Sequence, residues 1–214
     1  SNLEFVEDLL ANTDIGELRM LDWRIDDDAM RFRVGAPDGE VEVGTPFPMF
    51  SFWNSETGKR TTGIQGGSFR ASCLNGMGSW EKSSRFTWRH FGNTERISQG
   101  VSSAMTEIST GLNGTLEAYQ RACDVFIDDA FAFVDQMLDK SGATKEAIEA
   151  VKTRGMTDPT SHDADSLAGV VDGITLIAQD EHRDLFEMDL MEQIAADCLR
   201  RGLAAAKRDR ILVR

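Results

Sequence analysis

Cysteine is scarce in this chain, with three in 214 residues, and Cys73, Cys123 and Cys198 stand far apart without a Cys-x-x-Cys pair. That spacing argues against a disulfide framework or a thiolate zinc site, and it suits a reducing compartment. Histidine is equally sparse, with three residues, and neither a Gly-x-Ser-x-Gly nor a His-Glu-x-x-His run is present. A triad hydrolase or a zinc protease therefore finds no anchor. No apolar run has the length that spans a bilayer, and the N-terminus shows no cationic leader ahead of an apolar stretch. The expectation is a cytoplasmic protein without a membrane partner. Positive charge is also in deficit, because 23 Lys and Arg face 36 Asp and Glu for a net of −13.

The deficit is uneven. Residues 1–57 carry 4 basic and 13 acidic side chains, residues 58–99 carry 7 and 2, and residues 100–214 carry 12 and 21. A basic segment thus lies between two acidic ones, and such a reversal can mark a footprint for phosphates. The bland alternative is that these cations pair with the acidic flanks once the chain folds.

Periodicity divides the chain into two grammars. Leu3, Val6, Leu9 and Leu10 have helical spacing, so a short amphipathic helix opens the chain. Met20 to Val34, turning at Asp26-Asp27-Asp28, alternates at period two and reads as a hairpin, and Val41 and Val43 suggest another strand. Phe47 to Trp53 reads as a buried strand, Thr61 to Ile64 and Ser68 to Leu74 as two strands around Gly66-Gly67, and Phe86 to Phe91 as a further one. From Glu95 the pattern becomes helical, in a long run to Leu138 with a core-facing stripe that includes Tyr119, Ala130 and Val134. Helices over Thr144–Arg154, Ala164–Ala178 and Arg183–Arg208 follow. The expected fold is α+β, a mostly antiparallel sheet in residues 1–94 and a helical half in 95–214 packed on it as one domain.

Chemistry-bearing patterns each have a structural competitor. Gly63, Gly66, Gly67, Gly76 and Gly78 match neither a P-loop nor a dinucleotide fingerprint, and turns or bulges between strands explain them. His162, Asp163 and Asp165, like Asp180, Glu181, His182 and Asp184, combine metal-ligand side chains, yet both groups fall where helices begin and carboxylates serve as caps. Asp124, Asp128, Asp135 and Asp139 are spaced as one solvated helix face. The pattern therefore names no catalytic residue, no metal ligand and no cofactor, and a non-enzymatic role is the expectation.

The candidate site lies in the basic segment, where Lys59, Arg60, Arg70, Lys82, Arg85, Arg89, His90 and Arg96 are interleaved with Trp80 and Trp88. Rings stack on unstacked bases and guanidinium groups hold phosphates, so single-stranded nucleic acid is the ligand this pattern fits. Against it stands the reading in which Phe86 and Trp88 are core residues.

Three runs carry a resemblance: Pro48-Met49-Phe50-Ser51-Phe52-Trp53-Asn54-Ser55-Glu56-Thr57-Gly58, Gly66-Gly67-Ser68-Phe69-Arg70-Ala71-Ser72-Cys73-Leu74-Asn75-Gly76-Met77, and Arg89-His90-Phe91-Gly92-Asn93. In order and spacing they resemble the phage- and plasmid-borne family catalogued as domain of unknown function 932. Ser166 to Thr175 is similar to a late helix of that family, which usually shows Asn-Ala where this chain has Asp172-Gly173. The resemblance implies a mobile-element origin and no activity. Two functions follow as expectations. One is a nucleic-acid-binding protein of recombination or annealing that assembles with itself, by analogy with single-strand annealing proteins. The other is an acidic protein-interaction or assembly module that engages a basic host or phage protein, or mimics DNA.

Overall fold

The computed structural model describes residues 19–27, 29–35, 46–55, 57, 61–70, 75–78, 85–88, 100, 103, 114, 117–139, 141–157, 163–180 and 182–208. The expected opening helix and the strand at Val41 and Val43 lie outside these residues, as does the expected boundary between residues 94 and 95.

The described strands are β1 (Arg19–Ile25), β2 (Met30–Gly35), β3 (Pro46–Asn54), β4 (Thr62–Arg70), β5 (Asn75–Gly78) and β6 (Arg85–Trp88). They form one antiparallel sheet in the order β1-β2-β3-β4, with β5 and β6 sharing the far side of β4. The helices among the described residues include α1 (Ala130–Leu138), α2 (Lys145–Thr153), α3 (Leu167–Ala178) and α4 (Leu185–Ala206). The chain is therefore α+β, sheet first and helices second. No helix among the described residues is long and apolar enough to cross a membrane.

Alternation in the sequence becomes two unlike faces. Phe32 and Val34 pair with Phe52 and Phe50, and Phe52 with Ile64, in a fully buried apolar face. Phe32 and Phe52 stack with centroids 4.7 Å apart. Their neighbours Arg31 and Arg33 point the other way, toward α4, and are as buried as the phenylalanines.

Two expectations are corrected. Residues 62–70 make one continuous strand, because Gly66 and Gly67 stand opposite Phe50 and Met49, whose bulk covers the gap left by two missing side chains. The helix expected to run through to Leu138 breaks at 124–129, where Ile127 donates to the Asp165 carbonyl (2.7 Å) and Leu167 to the Val125 carbonyl (2.9 Å). Asp129 then caps α1 by accepting from the Ala132 amide at 2.9 Å. Asp124, Asp128, Asp135 and Asp139 consequently do not share one helix.

The helical core gathers Tyr119, Val134 and Leu138 with Val151, Ile174 and Leu199. Helix α3 is buried along nearly its whole length, so its close approaches are made through small residues. At Gly173 a Cβ would come within 2.9 Å of the Gly155 carbonyl carbon. Tyr119 reaches into the same core and donates its hydroxyl to the Asp172 carboxylate.

Gly173→Ala should therefore cost about 1–3 kcal/mol, since backbone rather than a flexible side chain must move, measured as a lower urea midpoint at unchanged slope. Burial pushes the Cys198 thiol on α4 up from its usual 9.0 to about 12. The unfolded thiol ionises near 9.0, so this stabilisation is fully present below that pH and declines as pH rises toward about 12. Chemical denaturation compared below and above pH 9 should show a loss of stability that a Cys198→Ala variant lacks.

Candidate functional site

Sequence reasoning missed a buried cluster of charge at the seam between the sheet and α4. Glu192, deep on α4, presents one oxygen, Oε1, to three donors: Arg31 Nη1 at 3.1 Å, Arg33 Nη1 at 3.0 Å and Gln179 Nε2 at 2.9 Å. Arg33 uses its remaining donors on Asp22, gripped through both carboxylate oxygens, and on Gln179 Oε1 at 2.8 Å. Arg31 leans a second nitrogen on Met188 Sδ at 3.8 Å, and its Nε has no hydrogen-bond partner among the described residues.

Electrostatics separate the two arginines. Burial opposes both charges. For Arg31 it prevails over the attraction of Glu192 and lowers the pKa. At Arg33 Glu192 and Asp22 together more than offset it and raise the pKa. Guanidinium groups titrate so high that both remain charged at any ordinary pH.

The same seam satisfies helix ends. Arg24 Nη2 donates to the Gln179 carbonyl at 2.7 Å and Arg183 Nε to the Ile177 carbonyl at 3.0 Å, so cations cover the C-terminal carbonyls of α3. Asp26 closes the β1–β2 turn by accepting from the Ala29 amide at 2.7 Å, and its other oxygen accepts from the Leu185 amide at 3.2 Å. Asp184 accepts from Glu187 at 2.8 Å and completes the cap of α4.

Of the expected nucleic-acid contacts, Arg85 and Trp88 have described side chains. Arg85 pairs with Asp189 of α4 (3.3 Å), donates to Gln65 (3.2 Å) and lies over the Trp53 ring, 4.8 Å from its centroid. A Cβ at Gly63 would come within 2.2 Å of that ring, so glycine leaves it room. Trp88, opposite Thr62, is half-buried against Gly100. The backbone of Arg70 ends β4 opposite Pro46 and Asn75. Lys59, Arg60, Trp80, Lys82, Arg89, His90 and Arg96 lie outside the described residues.

The acidic groups resolve into capping roles and an open face. Ser166 caps α3 by accepting from Gly169 at 3.0 Å, and Asp180 pairs with Arg154 at 3.0 Å. Among the described residues no cluster of three His, Cys, Asp or Glu could hold a metal. Between 124 and 139 five aspartates occur without a lysine or arginine, and all five are exposed. Phe131 stands among them, 51 % exposed. Beside this segment a groove of about 350 Å³ runs between α1 and α4, lined by Gln136, Met137, Leu190, Gln193, Asp197 and Arg201.

No protein-family model matches the chain, and no curated protein or solved structure matches it. The likeness to family 932 rests on the sequence motifs alone.

Removing the Glu192 charge leaves two buried guanidinium groups facing each other across an empty acceptor. Glu192→Ala should destabilise the fold by about 3–5 kcal/mol, read by urea denaturation. Glu192→Gln, which keeps an acceptor oxygen and the shape, should cost less.

Proposed function

We propose that the protein is an acidic interaction module that engages a basic partner protein through the 124–139 surface. The observation that carries this is where four of the described arginines of the sheet go. Arg24, Arg31, Arg33 and Arg85 all turn into the seam with α3 and α4. Of the cations in the 58–99 segment Arg85 is thereby occupied, while Asp124, Asp128, Asp129, Asp135 and Asp139 lie exposed along the segment that carries the exposed Phe131, with Lys152 paired to Asp135. An aromatic anchor inside a single-sign field steers a lysine- or arginine-bearing segment and gives it an apolar contact. With the resemblance to mobile-element proteins, the partner would be a host or phage protein.

Nucleic acid held on the 58–99 segment is the competing reading, and one experiment separates the two. Labelled lysine- and arginine-rich peptides and single-stranded DNA are titrated with the protein by fluorescence anisotropy across a salt series. The expected result is salt-sensitive peptide binding that an Asp124→Asn/Asp128→Asn/Phe131→Ala variant weakens about tenfold. A Glu146→Gln/Asp163→Asn control, which removes equal charge elsewhere, should leave it nearly unchanged. DNA binding that survives in the 124–131 variant, with no peptide binding, would overturn the proposal.

A further inference from the structure

Strand β1 ends the described sheet, paired with β2 alone among the described strands. It bears three large apolar side chains in the open: Met20 at 49 %, Trp23 at 66 % and Ile25 at 64 % exposure. The register with β2 places all three on one face, opposite Val34, Phe32 and Met30. Edge strands are ordinarily blunted with charge on the open side, and an apolar row at an edge marks a strand that receives another. Next to it a shallow pocket of about 490 Å³ is lined by Trp23, Ile25, Arg183 and Leu185.

We propose that β1 pairs antiparallel with β1 of a second copy, about a two-fold axis at Trp23, to join two sheets into one. The strand is self-complementary about that residue. Its order is Arg19-Met20-Leu21-Asp22-Trp23-Arg24-Ile25, so rotation about Trp23 sets the two indoles opposite each other and Asp22 opposite Arg24 of the second copy, twice. Asp22 already holds Arg33, and Arg24 the Gln179 carbonyl, but Asp22 is still 26 % exposed, a carboxylate accepts more than two bonds and a guanidinium carries five donors. The register of β1 shifts at Leu21, whose side chain turns in against Phe47 and Met49. That one-residue bulge brings Ile25 opposite Met20 of the second copy rather than Leu21. All three exposed apolar side chains then find apolar partners on one face while the charges pair on the other.

Charge explains why the contact falls here. Two copies of a chain with a net of −13 repel each other over most of their surfaces. Within β1 itself two arginines and one aspartate leave none of the acidic excess of the chain as a whole, so like copies can meet there. The proposal does not depend on the acidic surface or its partner, and its test uses neither.

Sedimentation velocity over a concentration series should show a monomer–dimer equilibrium in the purified chain. Trp23→Lys, which places two cations on the axis, should weaken association by about tenfold or more, with circular dichroism unchanged, whereas Trp23→Phe should retain it. Register is read by oxidation in a Cys73→Ser/Cys123→Ser background, which leaves the buried Cys198 in place. Trp23→Cys should cross-link to itself, because residues opposite one another across an antiparallel pair are close enough for a disulfide. Ile25→Cys should not, since the two positions would lie roughly 14 Å apart. A wild type that stays monomeric at every concentration, a dimer indifferent to Trp23→Lys, or self-linking at residue 25 in place of 23 would each overturn the proposal.

Discussion

One carboxylate oxygen ties the two halves of this protein together. Glu192 Oε1 receives Arg31 and Arg33 from the sheet and Gln179 from the end of α3. A strand and two helix residues 146 or more positions further along the chain therefore have to agree in position within hydrogen-bonding tolerance. Burying such charges costs several kcal/mol for each ion, so the cluster adds little net stability over an apolar seam of the same volume. What it supplies is direction. An apolar seam tolerates a helix that slides by a turn, whereas a buried guanidinium pair tolerates only the position in which its acceptor is present. The other contacts of the seam follow from that alignment: Asp26 and Asp184 cap α4, and Arg24 and Arg183 close the end of α3.

Much of the fold was legible because its signals are local. Phe32 and Val34 announced a strand by alternation, and Phe47 to Trp53 by density of large side chains. Asp184 caps α4, as the placement of the Asp180 group at a helix start suggested, whereas at the His162 group the cap of α3 is Ser166 rather than a carboxylate. The errors occur where distant partners decide. Gly66 and Gly67 look like a turn until Phe50 and Met49 are set opposite them. The helical stripe through Tyr119, Ala130 and Val134 holds as a set of core residues. Its backbone is broken at 124–129, because Val125 and Ile127 hydrogen-bond to Leu167 and Asp165, some forty residues away.

The seam was not legible for a related reason. Counting charge along the chain located a basic segment at 58–99, but Arg31 and Arg33 sit inside the acidic first segment, where averaging hides them. Their signal was the alternation itself: a strand whose odd positions are arginine and whose even positions are Phe32 and Val34 has two buried faces of opposite character. Arg85 was singled out for nucleic acid, and the structure gives it an acid, an amide and an indole as neighbours, while most of its predicted companions lie outside the described residues. Pairing with acidic flanks, the bland alternative for the basic segment, holds for this one residue.

The seam also shapes the surface. Arg24, Arg31, Arg33 and Arg85 meet Asp22, Asp189, Glu192 and the carbonyl end of α3, so the contact is close to neutral by itself. A chain that assigns four arginines to a near-neutral interior contact leaves its excess carboxylates on the outside, where mutual repulsion works against the compact state. At 124–139 five exposed aspartates follow one another without a lysine or arginine, in a segment whose break the 165–167 backbone fixes in place. Lys152 relieves part of their repulsion by pairing with Asp135 at 2.8 Å. On the reading proposed above, a cationic partner would relieve the rest.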